Sequence, residues 1–451
     1  MTTLNVEHMR AAYIRGTGPA DSIVVGDVPV PRPGPGSVLV HNSVMAVNHV
    51  DTYIRSGAYA TPLPGGTPFI VGRDLAGTVV ELGSGVTGFA IGDSVWCNSL
   101  GHDGRQGSFS DYSVVPAERL YRMPTGVTPE TMMTAAHTGA TAYLGLVREA
   151  RVRIGETVFI GGAAGGVGSA AVQLARAAGT RVLASCSPHD AEWVRSLGAD
   201  EVFDRTDSAM FERLYAASSG GIDVWWDTTG RFGLAQAFPL LGRGARVVVT
   251  AKRQGTKALE LPTDFYTRDV QLRGFAISNA SIGDLAEAAA ALGGLLTRGG
   301  FKSRVAKVLS LEEAAGAHRL MESHAAPGKL LVKPGAARPK PHAPGAAAGA
   351  AGAAGAAGAA PGLASAAAKP HPPTAQGATS GGVSGAAARP ATAASASPKP
   401  GPKPTKSTSE SHPLPDAPAS RQPSAPKPSA PKPTVSKPAG PKPSPAPAPK
   451  K

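Results

Sequence analysis

The sequence predicts an α/β chain: a small β-rich domain, then a doubly wound parallel sheet, then a disordered, basic Pro/Ala-rich C-terminal tail. Three observations predict it. Residues 155–176, G-E-T-V-F-I-G-G-A-A-G-G-V-G-S-A-A-V-Q-L-A-R, pass from a β-branched strand through a tight glycine turn into helical apolar spacing. Short β-like runs precede this stretch, and alternating strands and helices follow it. From Pro334 onward there is no Phe, Trp or Tyr, and Ala, Pro, Gly, Ser and Lys dominate. Such a composition offers too little apolar surface to offset the entropy of ordering.

In chain order, residues 38–41, 77–82, 94–97 and 111–115 read as strands, with Pro29, Pro31, Pro33, Pro35 and Gly36 marking the first connections. Residues 134–147 have helical apolar spacing. After the glycine turn, strands are expected at 181–185, 201–203, 223–227, 245–250 and 270–275, with helices at 188–196 and 207–217. In a doubly wound sheet the carboxyl ends of such strands line the ligand cleft.

The strand–turn–helix is suited to a dinucleotide. Ala164, Gly165, Gly166, Val167 and Gly168 form the turn, and without side chains at its glycines the backbone can approach a pyrophosphate at the helix N-terminus. The spacing departs from G-x-G-x-x-G. The uncharged run 157–175 contains five glycines and restarts its periodicity halfway, which argues for two soluble elements over a membrane span. The turn lacks the Gly-Lys-Ser/Thr ending of a P-loop, and no serine sits in a hydrolase-type nucleophile elbow. Phosphoryl transfer and Ser-His-Asp catalysis are therefore set aside.

At the end of the next strand, where an Asp or Glu would select NAD, stand Ser185, Cys186 and Ser187. Asp190 is the nearest acid, and Ser187-Pro188-His189-Asp190 has the residues of a helix start, so Asp190 is assigned to capping. Ser187, His189 and Arg205 are then the groups to meet a 2′-phosphate, and NADPH is expected ahead of NADH.

Fourteen of the 45 Lys and Arg but only two of the 32 acids, Glu410 and Asp416, fall in residues 334–451, so the tail carries +12 and the remainder +1. Repeated P-K-P units favour extended polyproline-like segments. The tail is either a solubilising extension or a non-specific contact for nucleic acid or another polyanion, without aromatic rings to stack on bases. Two cysteines, Cys97 and Cys186, provide no disulfide framework, and the N-terminus has no basic start followed by an apolar core. A cytoplasmic protein is the expectation.

The 155–176 segment, with Gln173 and Arg176, resembles the signature of the quinone oxidoreductases related to zeta-crystallin, in the medium-chain dehydrogenase/reductase superfamily. Phe159 stands where that signature usually has Leu. The similarity covers about residues 10–333. It implies a GroES-like catalytic domain over 1–127, completed by about 278–333 through the returning segment P-G-K-L-L-V that contains Lys329, and a Rossmann domain over 128–277. It also implies a homodimer.

Asn48 occupies the place of a metal-binding Cys in the zinc alcohol dehydrogenases, and Arg73-Asp74 that of a His-Glu pair, so no zinc is expected. Two cysteines cannot supply the four-cysteine cluster of the second, structural zinc. A different zinc site built from His49, Asp51, Cys97 or His137 has nothing in its spacing to favour it.

The resemblance places Thr141, Thr228, Thr250, Phe275, Ile277 and Lys329 along the cofactor, with backbone contacts to the carboxamide from 247–251 and 274–277. For Thr141 the alternative is a hydroxyl bonded back to its own helix, and for Thr228 a core strand with a polar cap. Asn48 and Tyr53, on a loop facing the nicotinamide, are candidates to hydrogen-bond a substrate carbonyl, with Tyr53 as proton donor and Asp51 and Arg55 orienting them. Alternatively Asn48 holds the loop backbone and Tyr53 packs.

Without a Lewis acid, reduction of a quinone or similar conjugated carbonyl asks less than alcohol oxidation. The expectation is an NADPH-dependent quinone reductase. An alkenal or enone double-bond reductase is one alternative, and an NADPH-binding sensor or nucleic-acid-associated protein with little turnover is another.

Overall fold

The computed structural model describes residues 6–59, 61–63, 68–218, 220–231, 234–251 and 260–335. The tail expectation therefore falls, from residue 336 on, outside the described residues. The chain opens with β1 (His8–Ile14), β2 (Val24–Pro29), β3 (Ser37–Ala46), α1 (His49–Ser56), β4 (Phe69–Ile70), β5 (Asp74–Leu82), β6 (Ser94–Cys97), β7 (Tyr112–Pro116) and β8 (Tyr121–Arg122). Strands β2-β1-β4 form one antiparallel sheet.

β3 is the centre of a second sheet, pairing antiparallel with β5 and β7. Its first residues are buried on both sides, because alternate side chains enter different cores. Val38 and Val40 pack with Leu75, Val79 and Val115, while Leu39 joins Met9, Ala11 and Tyr13 of β1.

α2 (Pro129–Tyr143) starts at Thr128, whose side chain accepts from the Thr131 N–H, with Pro129 in the first turn. Its last turn widens into a π-helical stretch, Leu144–Glu149. Within it Gly145 packs tightly, since a Cβ there would come within 2.2 Å of the buried Trp226 ring.

Next come β9 (Thr157–Gly161), α3 (Gly166–Ala177), β10 (Arg181–Cys186), α4 (Ala191–Ser196), β11 (Glu201–Asp204), α5 (Met210–Ala217), β12 (Ile222–Asp227), α6 (Leu234–Ala237), β13 (Leu241–Val249) and β14 (Gln271–Gly274). The six strands form a parallel sheet in the order β11-β10-β9-β12-β13-β14. The order reverses between β9 and β12, and in such a sheet the crevice at the strand carboxyl ends beside that switch point receives ligands. Phe159 and Trp225 stack at 4.0 Å between centroids to fill one face of it.

The chain closes with α7 (Ile282–Thr297), β15 (Val305–Ser310), α8 (Ala314–Glu322) and β16 (Lys329–Lys333). β15 and β16 are parallel, and β16 pairs antiparallel with β3 through Leu331 opposite Ala46 and Val332 opposite Met45. The last strand thus carries Lys329 back beside the start of α1.

Candidate active site

At the glycine turn the Gly165 N–H donates to Gly162 O at 3.0 Å, and the Ala163 N–H to Ser185 O on β10 at 2.9 Å. Gly162 has φ +72, and a Cβ on Gly168 would lie 2.2 Å from Gly162 O. These glycines are thus required by the turn's own closure. No described side chain caps α3. The N–H groups of Gly166, Val167 and Gly168, which have no carbonyl behind them in the helix, remain available to an anion. Ala164 completes the turn, and the Thr228 hydroxyl at the end of β12 donates to Gly161 O at 2.8 Å. A dinucleotide pyrophosphate fits this donor set.

At the end of β10 the Arg205 Nε donates to Ser187 Oγ at 2.9 Å. Asp190 departs from expectation. Its carboxylate accepts from Arg304 at 3.1 Å and lies 3.1 Å from the exposed His189 Nε2, and Ser187 makes no side-chain capping bond in the short turn Pro188–Asp190. Capping is overruled because a guanidinium 114 residues away is a stronger partner than a backbone N–H.

Towards the other end of the sheet, Thr250 Oγ1 accepts from Trp226 Nε1 at 3.2 Å, and the Phe275 N–H donates to Val249 O at 3.1 Å. Ile277 is buried in a short turn after β14. The Thr141 hydroxyl donates to His137 O at 2.8 Å. Sequence reasoning missed Thr138, the α2 residue that a Cβ on Gly166 would meet at 2.9 Å.

The segment expected as a loop after Asn48 is the two-turn helix α1. Asp51 Oδ2 accepts the Asn48 N–H at 2.8 Å, closing the helix start, and Gly57 at φ +83 ends it. Asn48 is buried: its Nδ2 donates to Asp74 Oδ2 at 3.0 Å, and its Oδ1 accepts from the Lys329 ammonium. Asp51 holds the Asn48 backbone N–H, while Asp74 and Lys329 hold its side chain. Arg55 does not orient either candidate, because its buried guanidinium is taken by Gly18 O and by Glu322. Tyr53 is 46% exposed on the same helix.

Burial dominates the charges here. Asp74 is pushed up to about 6 by burial, against the pull of Lys329, Asn48 and Arg73. Asp51 is pushed up to about 7 by burial and then by Asp74. Burial lowers Lys329, while Asp74 and Asp51 oppose the shift. His137, 3.7 Å from Asp74, is held neutral by burial and by Arg73. Asp74 Oδ1, His137 Nδ1 and Arg73 Nε and Nη1 are buried without a hydrogen-bond partner among the described residues.

The nucleotide turn and this polar cluster meet at α2: consecutive residues His137 and Thr138 stand against Asp74 and Gly166 respectively.

Residues 34–125 match the alcohol dehydrogenase GroES-like domain, and residues 166–293 the zinc-binding dehydrogenase domain. A quinone oxidoreductase from Sus scrofa is 32% identical over 320 residues, covering 70% of this chain and 94% of the relative. A 2-haloacrylate reductase from Burkholderia sp is 30% identical, covering 72% of this chain and 99% of that protein. The solved structure of a mycobacterial protein complexed with NADPH aligns with TM-score 0.64 at 26% identity, covering 72% of this chain and 100% of that chain.

Zinc, which the second domain's description implies, does not fit the residues present. The Asn48 amide is engaged by Asp74 and by the Lys329 ammonium, Arg73 and Lys329 bring cations of their own, and no three His, Cys, Asp or Glu side chains converge among the described residues. With the glycine turn, the switch-point crevice and identity across nearly the whole relative, the chain belongs to the quinone oxidoreductase branch of the medium-chain dehydrogenase/reductase superfamily.

Proposed function

We propose that the protein is an NADPH-dependent reductase that reduces a quinone or a similar conjugated carbonyl by hydride transfer without a metal. The observation that carries the reading is the juxtaposition on α2, where His137 and Thr138 join the buried Asn48–Asp74–Lys329 group to the uncapped start of α3. Bound NADPH supplies the hydride. The N–H groups of Gly166, Val167 and Gly168 hold its pyrophosphate, and Ser187, His189 and Arg205 meet its 2′-phosphate.

Thr141, Thr228, Thr250, Phe275 and Ile277 flank the nicotinamide half. Asn48 has its side chain committed to Asp74 and Lys329, so it acts by positioning the ammonium. Lys329 then stabilises negative charge on the substrate oxygen, and Tyr53 delivers the proton. The mycobacterial NADPH complex and the Sus scrofa quinone oxidoreductase support NADPH and a quinone as the reactants.

The Burkholderia 2-haloacrylate reductase favours a second reading, reduction of an activated C=C bond on the same scaffold. Initial rates with a para-quinone and with an α,β-unsaturated aldehyde, each under NADPH and NADH, test both. The first reading expects kcat/KM to be highest for quinone with NADPH, and a preference for the aldehyde moves the assignment to the second. A homodimer belongs to the same proposal, with sedimentation as its check. The +12 charge of the tail gives the chain a weak, salt-dependent affinity for polyanions.

A further inference from the structure

We propose that Arg304 sets the coenzyme preference by pairing with Asp190, an acid just past the end of the second strand that would otherwise repel a 2′-phosphate; the inference rests on the NADPH reading. An acid at the end of the second strand of such a sheet selects NAD by accepting from the ribose hydroxyls and repelling phosphate. In this chain Ser185, Cys186 and Ser187 occupy that strand end, and the nearest acid in sequence is Asp190, three residues past Ser187, whose N–H donates to Ser187 O at 3.0 Å. Its Oδ1 accepts from Arg304 at 3.1 Å, and its Oδ2 lies 3.1 Å from Nε2 of the exposed His189. The other nearby acid, Asp204, is turned onto the N–H and hydroxyl of Thr206 at 2.8 and 2.7 Å.

Arg304 is held to this task from several sides. Its guanidinium lies over the Trp193 ring, 4.1 Å from the centroid, which fixes its plane at the carboxylate. Its carbonyl accepts the Lys329 N–H at 2.8 Å. The two residues before it are anchored as well: the Lys302 N–H donates to Gln173 Oε1 at 2.6 Å, and Ser303 Oγ meets Thr134 Oγ1 at 2.6 Å. Arg205 binds Ser187 through Nε alone, which leaves its terminal nitrogens to a phosphate on the same serine. The net result is one guanidinium, Arg205, on Ser187 and a neighbouring carboxylate, Asp190, paired with a second guanidinium. No single stretch of sequence carries this arrangement, because Arg304 and Asp190 are 114 residues apart.

Equilibrium titration with adenosine 2′,5′-bisphosphate and with 5′-AMP isolates the effect from turnover. The native chain is expected to bind the bisphosphate more tightly. Arg304→Gln should cut that preference about tenfold, the scale of one uncovered charge near the surface, with 5′-AMP binding little changed. Arg304→Gln with Asp190→Asn should restore it, because the repelling charge is gone. If the double variant stays as weak as the single one, or Arg304→Gln leaves the preference intact, the inference is overturned while the NADPH reading stands. If the native chain shows no preference for the bisphosphate, the NADPH reading itself fails.

Discussion

Lys329 places a buried ammonium in the cleft. Burial disfavours such an ammonium, and the Asn48 amide oxygen that accepts from it, with the negative charge of Asp74 and Asp51 nearby, opposes that cost. The ammonium also fills with fixed charge a place where a metal would add its own. His318 is the opposite case: 0% exposed, with neither ring nitrogen hydrogen-bonded among the described residues. Burial, and then Arg55, push it down to about 3.

Between that value and about 6.5 the unfolded chain binds a proton that the folded chain does not, so stability falls as pH drops through this window. At pH 5 the cost is about 2 kcal/mol relative to pH 7. Asp51 and Asp74, with raised values, act with the opposite sign, so the difference between chains is what isolates the histidine. Denaturant melts of native protein and His318→Leu at the two pH values should show the native chain losing about 2 kcal/mol more. An equal loss in both would contradict this reading. The sequence alone could expose Asn48 and Asp51, which lie within one helix start. It could not expose His318 or Arg304, whose environments are made by residues far away in the chain.

At the scale of elements, periodicity made the sheet legible and short-range competition hid α1. The strand at 94–97 was read residue for residue, and those at 181–185 and 223–227 to within one residue of β10 and β12, because apolar runs there are bounded by turn residues. In H-V-D-T-Y-I-R-S the β-branched Val50, Thr52 and Ile54 argue against a helix, and only the Asp51 bond to the Asn48 N–H and the burial of Ile54 decide for one. The π-helical end of α2 was equally hidden, and it holds Gly145 against Trp226, 81 residues further along the chain. Gly145→Ala should destabilise by about 1–3 kcal/mol through overpacking, read as a lower melting temperature with the sheet retained. An unchanged melt would show that the widened turn does not depend on that contact.

Across the whole molecule, the returning strand β16 pairs with β3 and delivers Lys329 to Asn48, so the cleft is completed by residues 281 positions apart. The charge asymmetry of the sequence lies beyond that strand. Removing residues 336–451 should leave quinone turnover intact and abolish retention on an immobilised polyanion at low salt. Retention that survives the truncation would place the polyanion surface elsewhere. Among the described residues no helix is long and apolar enough to cross a membrane.

The most direct measurement of the central claim is the rate of quinone reduction by NADPH after exhaustive chelation. A nicotinamide working beside Asn48 and Lys329 without a metal predicts the same rate before and after treatment. Loss of the rate on chelation and its return with added zinc would contradict the account.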